Sequence, residues 1–509
     1  MDTYLVAPAP VLPKHSSFTT AETSLLALVE ELRTKRLGEE HASVERVIEV
    51  RGREIERLLF EGWGNERAAF EAGRDVTGAD GVDRTHRRKA AREVETLFGT
   101  VVINRDRVGA RGSEALVPTD AALNLPADRF TFGVRQRAAV EAVRGSFDAA
   151  AEAVGATTGA NVVKRQAEAL VTAASVDFDN FYKESSRWHG EAAVPASTLL
   201  VLTVDGKGIV MRAESLRSAT RKAAAKATSK LKRRLSKGEK GNRKRMATVG
   251  AVYFLEPTPR SPSDILGELA KTTPKPRARP TRKRVLASVR KTSRVVIGEL
   301  FEEAAKRDPQ HQHRWVALVD GNSPQIADIE AAAAADGVRV TLVLDVIHAI
   351  EYLWAAAWEF HREGDPAAEE WVRKYLRMIL DGRASATAAA IRRSATARKL
   401  EKRTSVDKAA TYFLNKKALM RYDEYLRDGL PIATGVIEGA CRYLVKDRMD
   451  ITGARWGLDG AEAVLRLRSL WASGDLDTYW LYHHEREFER NHLVKYATSE
   501  DDWLLRRAA

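Results

Sequence analysis

The segment STLLVLTVD, residues 197–205, constrains the fold most strongly, because it is a continuous apolar run that ends in an aspartate. Such a run is typical of a central strand that is covered on both faces. From this point the pattern predicts three strands, then a helix, a strand, a helix, a strand and a helix. The strands are STLLVLTVD, GKGIVM after a tight turn, RMATVGAVYFLEP, HRWVALVD and VRVTLVLD; the helices are around 294–306, in GNSPQIADIEAAAAA and in VIHAIEYLWAAAWEFHRE. This order indicates an α/β fold.

Positive charge is concentrated in two blocks of the chain. The net charge is +13; residues 212–245 hold fourteen Lys and Arg against two Glu, and residues 271–294 hold ten Lys and Arg and no acid. Such blocks commonly bind phosphates, because each neutralised phosphate releases condensed counterions. A solvated basic linker is the alternative for either block alone. Two blocks that flank a strand pattern favour a nucleic acid as the partner.

The 509 residues exceed what one hydrophobic core usually organises, so we expect two to four structural units. Residues 1–20 are predicted to be disordered, and residues 21–190 to be mainly helical with a short hairpin near 95–108. Residues 191–500 are predicted to form the α/β domain, with basic insertions at 212–245 and 271–294 and a helical insertion at about 356–430. The segment SFDAAAEAVGATTGANVVKRQAEALVTAA suits either a helix-turn-helix that binds DNA or an ordinary helical pair.

Several classes of protein are excluded by composition and motifs. The single cysteine, Cys441, excludes an intramolecular disulfide framework and a multi-cysteine zinc site. No stretch has the ~20 apolar residues that cross a bilayer, and the N-terminus lacks the pattern of a secretory signal. The sequence has no P-loop, no GxGxxG after a strand and no HExxH. We therefore expect a cytoplasmic protein.

Three carboxylates occupy notable places in the predicted order of elements. Asp205 ends the first predicted strand, Asp320 ends the fourth, and Glu438 lies near the start of a late helix. Cleavage of a phosphodiester puts charge on the attacking and leaving oxygens together, and two divalent ions ~3.5–4 Å apart can stabilise both. Magnesium prefers such carboxylate oxygens, and the glycines that follow both aspartates leave room for a phosphate. The set therefore predicts a two-metal site.

Each of these residues also has a simpler explanation. Asp-Gly after a strand is a common turn, and a glutamate near a helix N-terminus is favoured by the helix dipole. Glu424 and Glu462 are alternatives for the third carboxylate. The three residues indicate a site only as a set, in this order of elements and beside basic segments.

Several stretches resemble the bacterial insertion-sequence transposases of the ISKra type, which are similar to Mutator-like DDE transposases. They are LTVDGKGIVMR, SKGEKGNRKRMATVGAVY, WVALVDGNSPQ, LVLDVIHAIEYLW and ATGVIEGACRYLVKDRMDITGARW, and the resemblance covers roughly residues 90–495. It implies an RNase H-like catalytic core with a large all-helical insertion, preceded by a mainly helical region that binds DNA ends. The family's acidic triad falls on Asp205, Asp320 and Glu438. A pair of cysteines that relatives often carry after the N-terminal hairpin is missing here.

The resemblance also implies an activity, cofactors and partners. The reaction is metal-dependent cleavage at transposon ends followed by transfer of the 3′-OH into target DNA, with two Mg²⁺ ions for which Mn²⁺ can substitute. The partners are the terminal inverted repeats and target DNA, bound by a homo-oligomer associated with the bacterial nucleoid. Two alternatives are a nuclease of the same fold that cuts without joining and a non-catalytic DNA-binding protein derived from a transposase.

Other residues are assigned supporting or DNA-binding roles. Asp345 and His348 form the D-x-x-H that Mutator-like transposases carry at this place; an N-capping aspartate with a packed histidine is the alternative. Trp456 could stack on an extruded base or fill the core. Glu438, Arg442 and Lys446 recur at four-residue intervals, so the two cations could contact DNA, or Arg442 could pair with Glu438. The other predicted DNA contacts are Lys207, Lys232, Arg233 and Arg234.

Overall fold

The computed structural model describes residues 17–74, 76–184, 194–226, 243–267, 278–433, 435–451 and 453–497, and Lys232, Arg233 and Arg234 lie outside them. Two compact units are present, one formed by residues 1–183 with 477–509 and the other by residues 184–476. Residues 477–497 therefore belong with the N-terminal unit, whereas the sequence placed them in the C-terminal domain. No helix in the described ranges is both long enough and apolar enough to cross a membrane.

The N-terminal unit is mainly helical and contains one long hairpin. Its elements are α1 (Thr19–Thr34), α2 (His41–Glu71), β1 (Val76–Thr77), β2 (Asp83–Arg84), β3 (His86–Thr96), β4 (Gly99–Gly109), α3 (Pro118–Ala122), α4 (Phe132–Arg144), α5 (Phe147–Thr157), α6 (Lys164–Ala174) and α7 (Phe178–Glu184). The hairpin pairs β3 with β4 from the turn at Thr96 and Gly99 to His86 and Gly109. It begins nine residues earlier than the predicted hairpin near 95–108, because a basic first strand with no clear alternation conceals its start.

The second unit is built around one mixed five-stranded sheet. Its first part comprises β5 (Leu199–Val210), α8 (Ser218–Lys226), β6 (Lys244–Leu255), α9 (Pro262–Leu266), β7 (Thr281–Ser288), α10 (Ser293–Arg307), β8 (Arg314–Val319), α11 (Ser323–Ala335), β9 (Val340–Leu344) and α12 (Val346–Ala357). The strand order is β7-β6-β5-β8-β9. The pairs β5–β6 and β6–β7 are antiparallel, while β5–β8 and β8–β9 are parallel.

The centre of this sheet forms where the apolar run predicts a strand. Leu200, Leu202 and Val204 alternate along β5 and pack in one cluster with Trp315 of β8 and Leu300 of α10. Residues on the opposite face of β5, such as Val201, are also fully buried. Burial on both faces explains why this strand is a continuous apolar run instead of an alternating one.

Two strand predictions were wrong. GKGIVM is not a partner strand after a tight turn, because β5 continues without interruption through Gly206 and Gly208 and pairs with β6 as far as Val210. The basic stretch that follows β6 also contains a strand, β7, which the sequence did not predict.

The rest of the second unit is helical, and the chain then returns to the first unit. The helices are α13 (Pro366–Leu380), α14 (Ala384–Ala397), α15 (Thr404–Lys416), α16 (Tyr422–Arg427), α17 (Gly435–Ala440), a π-helical segment (Cys441–Lys446), α18 (Asp447–Met449) and α19 (Leu458–Ser473), followed by α20 (Leu476–Asn491). Helices α13 to α16 occupy the predicted insertion. The late helix predicted around Glu438 is present, but its second half is a π-helix.

Candidate active site

Asp205 lies on β5 just beyond the last pair that this strand forms with β8, which is Thr203 with Leu318. Its carboxylate is partly buried and has two contacts: Oδ1 accepts the backbone N–H of Gly206 at 2.6 Å, and Oδ2 accepts the thiol of Cys441 at 3.3 Å. Asp205 was predicted to end the strand, but β5 continues beyond it to Val210. The residue does lie just after the parallel pairing with β8 ends.

Asp320 directly follows β8 and is held by the turn after it. Its Oδ1 accepts the backbone N–H of Asn322 at 2.7 Å, and its backbone carbonyl accepts the hydroxyl of Tyr412 at 3.0 Å. Gly321 has a φ of +92°, and a Cβ there would lie 2.7 Å from the same hydroxyl oxygen. Both the backbone conformation and the close approach therefore require glycine after Asp320.

The register of the sheet gives the two aspartates the same offset on neighbouring strands. The last matched pair of β5 and β8 is Thr203 with Leu318, and each aspartate follows its member of that pair by two residues. Neighbouring strands lie ~4.8 Å apart, and side chains two residues apart on a strand point to the same face. Beyond this pair, β5 continues along β6 as far as Val210, whereas β8 ends at Val319. Two carboxylates 115 positions apart in the chain thus lie just after the point where the parallel pairing of β5 with β8 ends.

Glu438 approaches this edge through the helix that carries it. The residue is exposed on α17, three positions before Cys441, whose thiol donates to Asp205. Burial raises the pKa of Cys441 well above its usual range, and the Asp205 carboxylate raises it further; Lys207 lowers it and Glu438 raises it. The two predicted carboxylates and Lys207 therefore all act electrostatically on one buried thiol.

The two alternatives for the third carboxylate are engaged elsewhere. Glu462 is buried on α19, where it accepts hydrogen bonds from Ser288 Oγ at 2.7 Å and from the backbone N–H of Val289 at 2.9 Å. These bonds attach α19 to the end of β7. Glu424 forms an ion pair with Arg421. Of the three candidates, Glu438 is the one that is known to act electrostatically on the thiol that donates to Asp205.

Asp345 and His348 were predicted to support the site, and Asp345 is the N-capping residue of its helix, which was the alternative prediction. Asp345 is buried and caps α12, with Oδ1 accepting the backbone N–H of Ile347 at 2.9 Å. His348 is partly exposed, and its Nδ1 lies 3.2 Å from Glu351. Asp345 nevertheless lies one strand away from Asp320, because β9 pairs with β8 through Val319 and Leu344.

The predicted DNA contacts in this unit fall into two groups. Arg442 and Lys446 are exposed, and the ion pair of Arg442 is with Asp447 at 3.7 Å, not with Glu438. Trp456 is buried, its Nε1 donates to the carbonyl of Met449 at 3.0 Å, and the Arg448 guanidinium covers its ring. The tryptophan thus fills the core and is not available to stack on a base.

Two residues at this edge were not predicted. Tyr412 lies on α15, stacks on Tyr352 with ring centroids 4.0 Å apart, and donates to the Asp320 carbonyl. No sequence signal identifies it, because 92 residues separate donor and acceptor. Cys441 could have been suspected, since it is the only cysteine and follows Glu438 by three positions.

One group of side chains elsewhere could hold a metal ion. Ligand atoms of Asp177, His483 and Glu487 lie within 4.8 Å of one another, and all three residues are buried in the N-terminal unit. These atoms already have partners: His483 Nδ1 lies 2.7 Å from Asp177 Oδ2, and Glu487 Oε2 accepts from Arg135 at 2.8 Å. An ion here would have to displace these contacts.

Within the described residues, Asp205, Asp320 and Glu438 do not form so compact a group. A two-ion site does not require one, because its ligands surround two centres ~3.5–4 Å apart. The donor set fits divalent ions: it offers hard carboxylate oxygens beside glycines, with contacts from one thiol and two backbone N–H groups.

Comparison with known proteins assigns no family. The sequence matches no protein-family model, and no similar curated protein is found. The assignment of a function therefore depends on the geometry of this edge of the sheet and on the charge of the chain.

Proposed function

We propose that this chain is a DNA transposase that cleaves phosphodiester bonds at transposon ends and transfers the 3′-OH into target DNA. The observation that carries the proposal is that Asp205 and Asp320 each lie two residues beyond the last matched pair of β5 and β8, while the thiol of Cys441, three positions after Glu438, donates to Asp205. Three carboxylates from distant segments that converge on one site are the ligand set that metal-dependent phosphoryl transfer needs.

The topology supports an RNase H-like core as the fold of the second unit. Numbered from β5 along the chain, the five strands have the order 3-2-1-4-5, with the first three antiparallel and the last two parallel to the first. Apart from the short α8 and α9, the observed order is three strands, helix, strand, helix, strand and helix, although the first two predicted strands are one strand, β5, and β7 was not predicted. The helices α13 to α16 then occupy the place of the all-helical insertion that the resemblance implies.

The residues at this edge have distinct roles in the proposed reaction. Asp205 and Asp320 would hold both of two Mg²⁺ ions, for which Mn²⁺ can substitute, and Glu438 would complete one shell. When bound, such ions activate the attacking oxygen and stabilise the leaving oxygen. We propose that Lys207, which acts electrostatically on the same thiol as Asp205, contacts the phosphate.

Charge supports DNA as the partner. The net charge of +13 is concentrated in the basic blocks at 212–245 and 271–294, of which the first ends at the start of β6 and the second contains β7. Exposed Arg442 and Lys446 follow Glu438 on the same helical segment. We further propose that a homo-oligomer binds the two transposon ends, near the nucleoid of a bacterial cell.

The test is a reaction of the full-length protein with duplex DNA that carries the genomic sequences flanking its reading frame. In Mg²⁺ we expect nicks or breaks at defined positions and joined products with a second DNA. Addition of EDTA should remove both, while Ca²⁺ should support binding without cleavage. Cleavage without joined products would favour a nuclease, and binding without either would favour a non-catalytic DNA-binding protein.

A further inference from the structure

The hairpin of β3 and β4 is anchored at its turn and exposed at its open end. Near the turn, Val94, Val101 and Ile103 are buried and pack with Ala68 of α2. The other end of β3, from His86 to Lys89, is exposed. The hairpin is therefore a ribbon with one half in the core of its unit and one half presented to solvent.

The exposed half carries an unfavourable pair of like charges. Arg88 of β3 is directly opposite Arg107 of β4, and both are exposed. Residues directly opposite on antiparallel strands have Cβ atoms ~4.5–5.5 Å apart, and like charges there are destabilising. In the part of the chain that the structure describes, neither guanidinium has a hydrogen bond or an ion pair.

Three other cations of the ribbon pair with acidic side chains. Arg92 and Arg105 both bind the Asp120 carboxylate, at 2.8 and 2.6 Å. Lys89 binds Asp106 at 2.9 Å. The cations nearer the core are thus neutralised within the protein, which sets Arg88 and Arg107 apart.

A third cation lies two residues beyond the end of β4. Arg111 is exposed in the turn after β4 and has no ion pair among the described residues. The chain then returns so that Leu116 pairs with Val108 of β4. Glu114, an acidic residue, lies on this returning segment. Its carbonyl accepts from Arg84, and its side chain forms no ion pair among the described residues.

We infer that the open half of this ribbon, with Arg88, Arg107 and Arg111, binds the backbone phosphates of duplex DNA. A phosphate between Arg88 and Arg107 turns a repulsion into two charge-assisted hydrogen bonds, which Arg geometry favours. The open half of the ribbon, residues 86–89 and 106–111, contains no Phe, Tyr or Trp, on which single-stranded bases commonly stack. The identity of the partner rests on the proposed function, but this binding surface belongs to the other unit of the chain and does not involve the carboxylates.

The test compares Arg88→Gln/Arg107→Gln with the control Arg46→Gln/Arg137→Gln in the full-length protein. The control removes the same charge from two exposed arginines of the same unit that have no ion pairs among the described residues. The probe is a short labelled DNA duplex of mixed sequence, titrated at several salt concentrations. The ribbon variant should bind roughly tenfold more weakly, or worse, if at least one charge-assisted bond is lost. Its slope of log K against log salt should fall by about 1.8 for two phosphate contacts.

Thermal unfolding separates binding from structure. Because the arginine pair is repulsive in the free protein, the ribbon variant should melt at the same temperature as the wild type or higher, although it binds DNA more weakly. If the ribbon variant and the control variant lose the same affinity for the duplex, the inference is overturned. A single-stranded RNA is titrated in parallel, and the inference also fails if the ribbon variant loses affinity for this RNA alone. If the wild type binds DNA through the ribbon but never cleaves it, the proposed function fails alone. If it cleaves and the ribbon variant binds normally, this inference fails alone.

Discussion

The two units contain clusters of acidic residues that differ in how their charge is balanced. In the N-terminal unit, Asp177 and Glu487 are buried and held by His483, Arg135 and Arg490. In the second unit, Asp205 and Asp320 are only partly buried, and their carboxylates contact a thiol and backbone N–H groups. Carboxylates whose charge is neutralised by arginines stabilise a fold, whereas carboxylates without such partners remain available for external cations.

The largest loss of stability is expected when the buried cluster of Asp177, Glu487, His483 and Arg135 in the N-terminal unit is broken. Replacing Arg135 by Ala removes the more deeply buried of the two arginines that pair with Glu487, because Arg135 is 2% exposed and donates to Glu487 at 2.8 Å, whereas the second arginine, Arg490, is exposed. Breaking a buried pair in this way costs roughly 3–5 kcal/mol in the free energy of unfolding. Denaturant unfolding measures this loss.

The matched control is Arg144→Ala on the same helix. Arg144 is exposed and lies 3.5 Å from Glu141, so its loss should change the free energy of unfolding by less than ~1 kcal/mol. Equal effects of the two substitutions would show that the cluster does not stabilise the unit.

Acid should act on the second unit through a similarly buried pair. Burial raises the pKa of Glu303, but Arg284 and Arg307 outweigh it and lower the pKa to about 2. Because the folded-state value lies below the unfolded one, this stabilisation is present above about pH 4.5 and is lost as the pH falls toward about 2. It amounts to at most about 3 kcal/mol.

Unfolding of Glu303→Gln across this pH window tests the assignment. Gln removes the titrating group, so the variant should lose less stability between about pH 4.5 and 2 than the wild type. An unchanged pH dependence would mean that Glu303 is not responsible for it.

Part of this organisation could be predicted from the sequence. The apolar run of β5 and the aspartate after β8 are local signals, and both appear in the structure where they were expected. Strand β7 was missed because Arg284, within TRKRV, looks solvent-exposed in sequence; in the fold it is buried against Glu303 at 2.6 Å. The pairing residue comes from a helix, so only the tertiary structure shows it.

Two further differences have similar causes. Gly206 and Gly208 indicated a turn, yet they continue β5, and a Cβ at Gly208 would lie 2.8 Å from the Lys244 side chain on the paired strand. The glycine therefore serves close packing between strands. Helix α20 joins the N-terminal unit through contacts such as His483 with Asp177, which are 306 residues apart, and no local pattern reveals such a contact.

A smaller effect is expected for Tyr412→Phe, which removes the hydroxyl that holds the Asp320 carbonyl. Stability should fall by ~1 kcal/mol, and more Mg²⁺ should be needed for half-maximal cleavage because the ligand is held less firmly. Tyr425→Phe is the control, since its hydroxyl donates to the Leu342 carbonyl at 3.2 Å, within β9. The same shift in Mg²⁺ dependence for both variants would show that Tyr412 does not position Asp320.

The smallest effect is expected for His348→Ala. The side chain is partly exposed and contacts Glu351, so stability should change by at most ~0.5 kcal/mol. Metal binding should remain, and cleavage should be only partly reduced. Complete loss of metal binding, measured by titration calorimetry with Mn²⁺, would instead make His348 a ligand.

The most direct test of the central claim is cleavage of transposon-end DNA in Mg²⁺ by Asp205→Asn, Asp320→Asn and Glu438→Gln, with binding measured on the same folded proteins. The control is Glu424→Gln, which removes a carboxylate paired with Arg421. Each of the three variants should lose cleavage and joining while still binding DNA, because loss of one ligand's charge leaves the pair of ions unsupported. Double variants should be no worse than single ones, and the control should cut normally. Near wild-type cleavage by any of the three would contradict the account, and the residue concerned would not be a ligand.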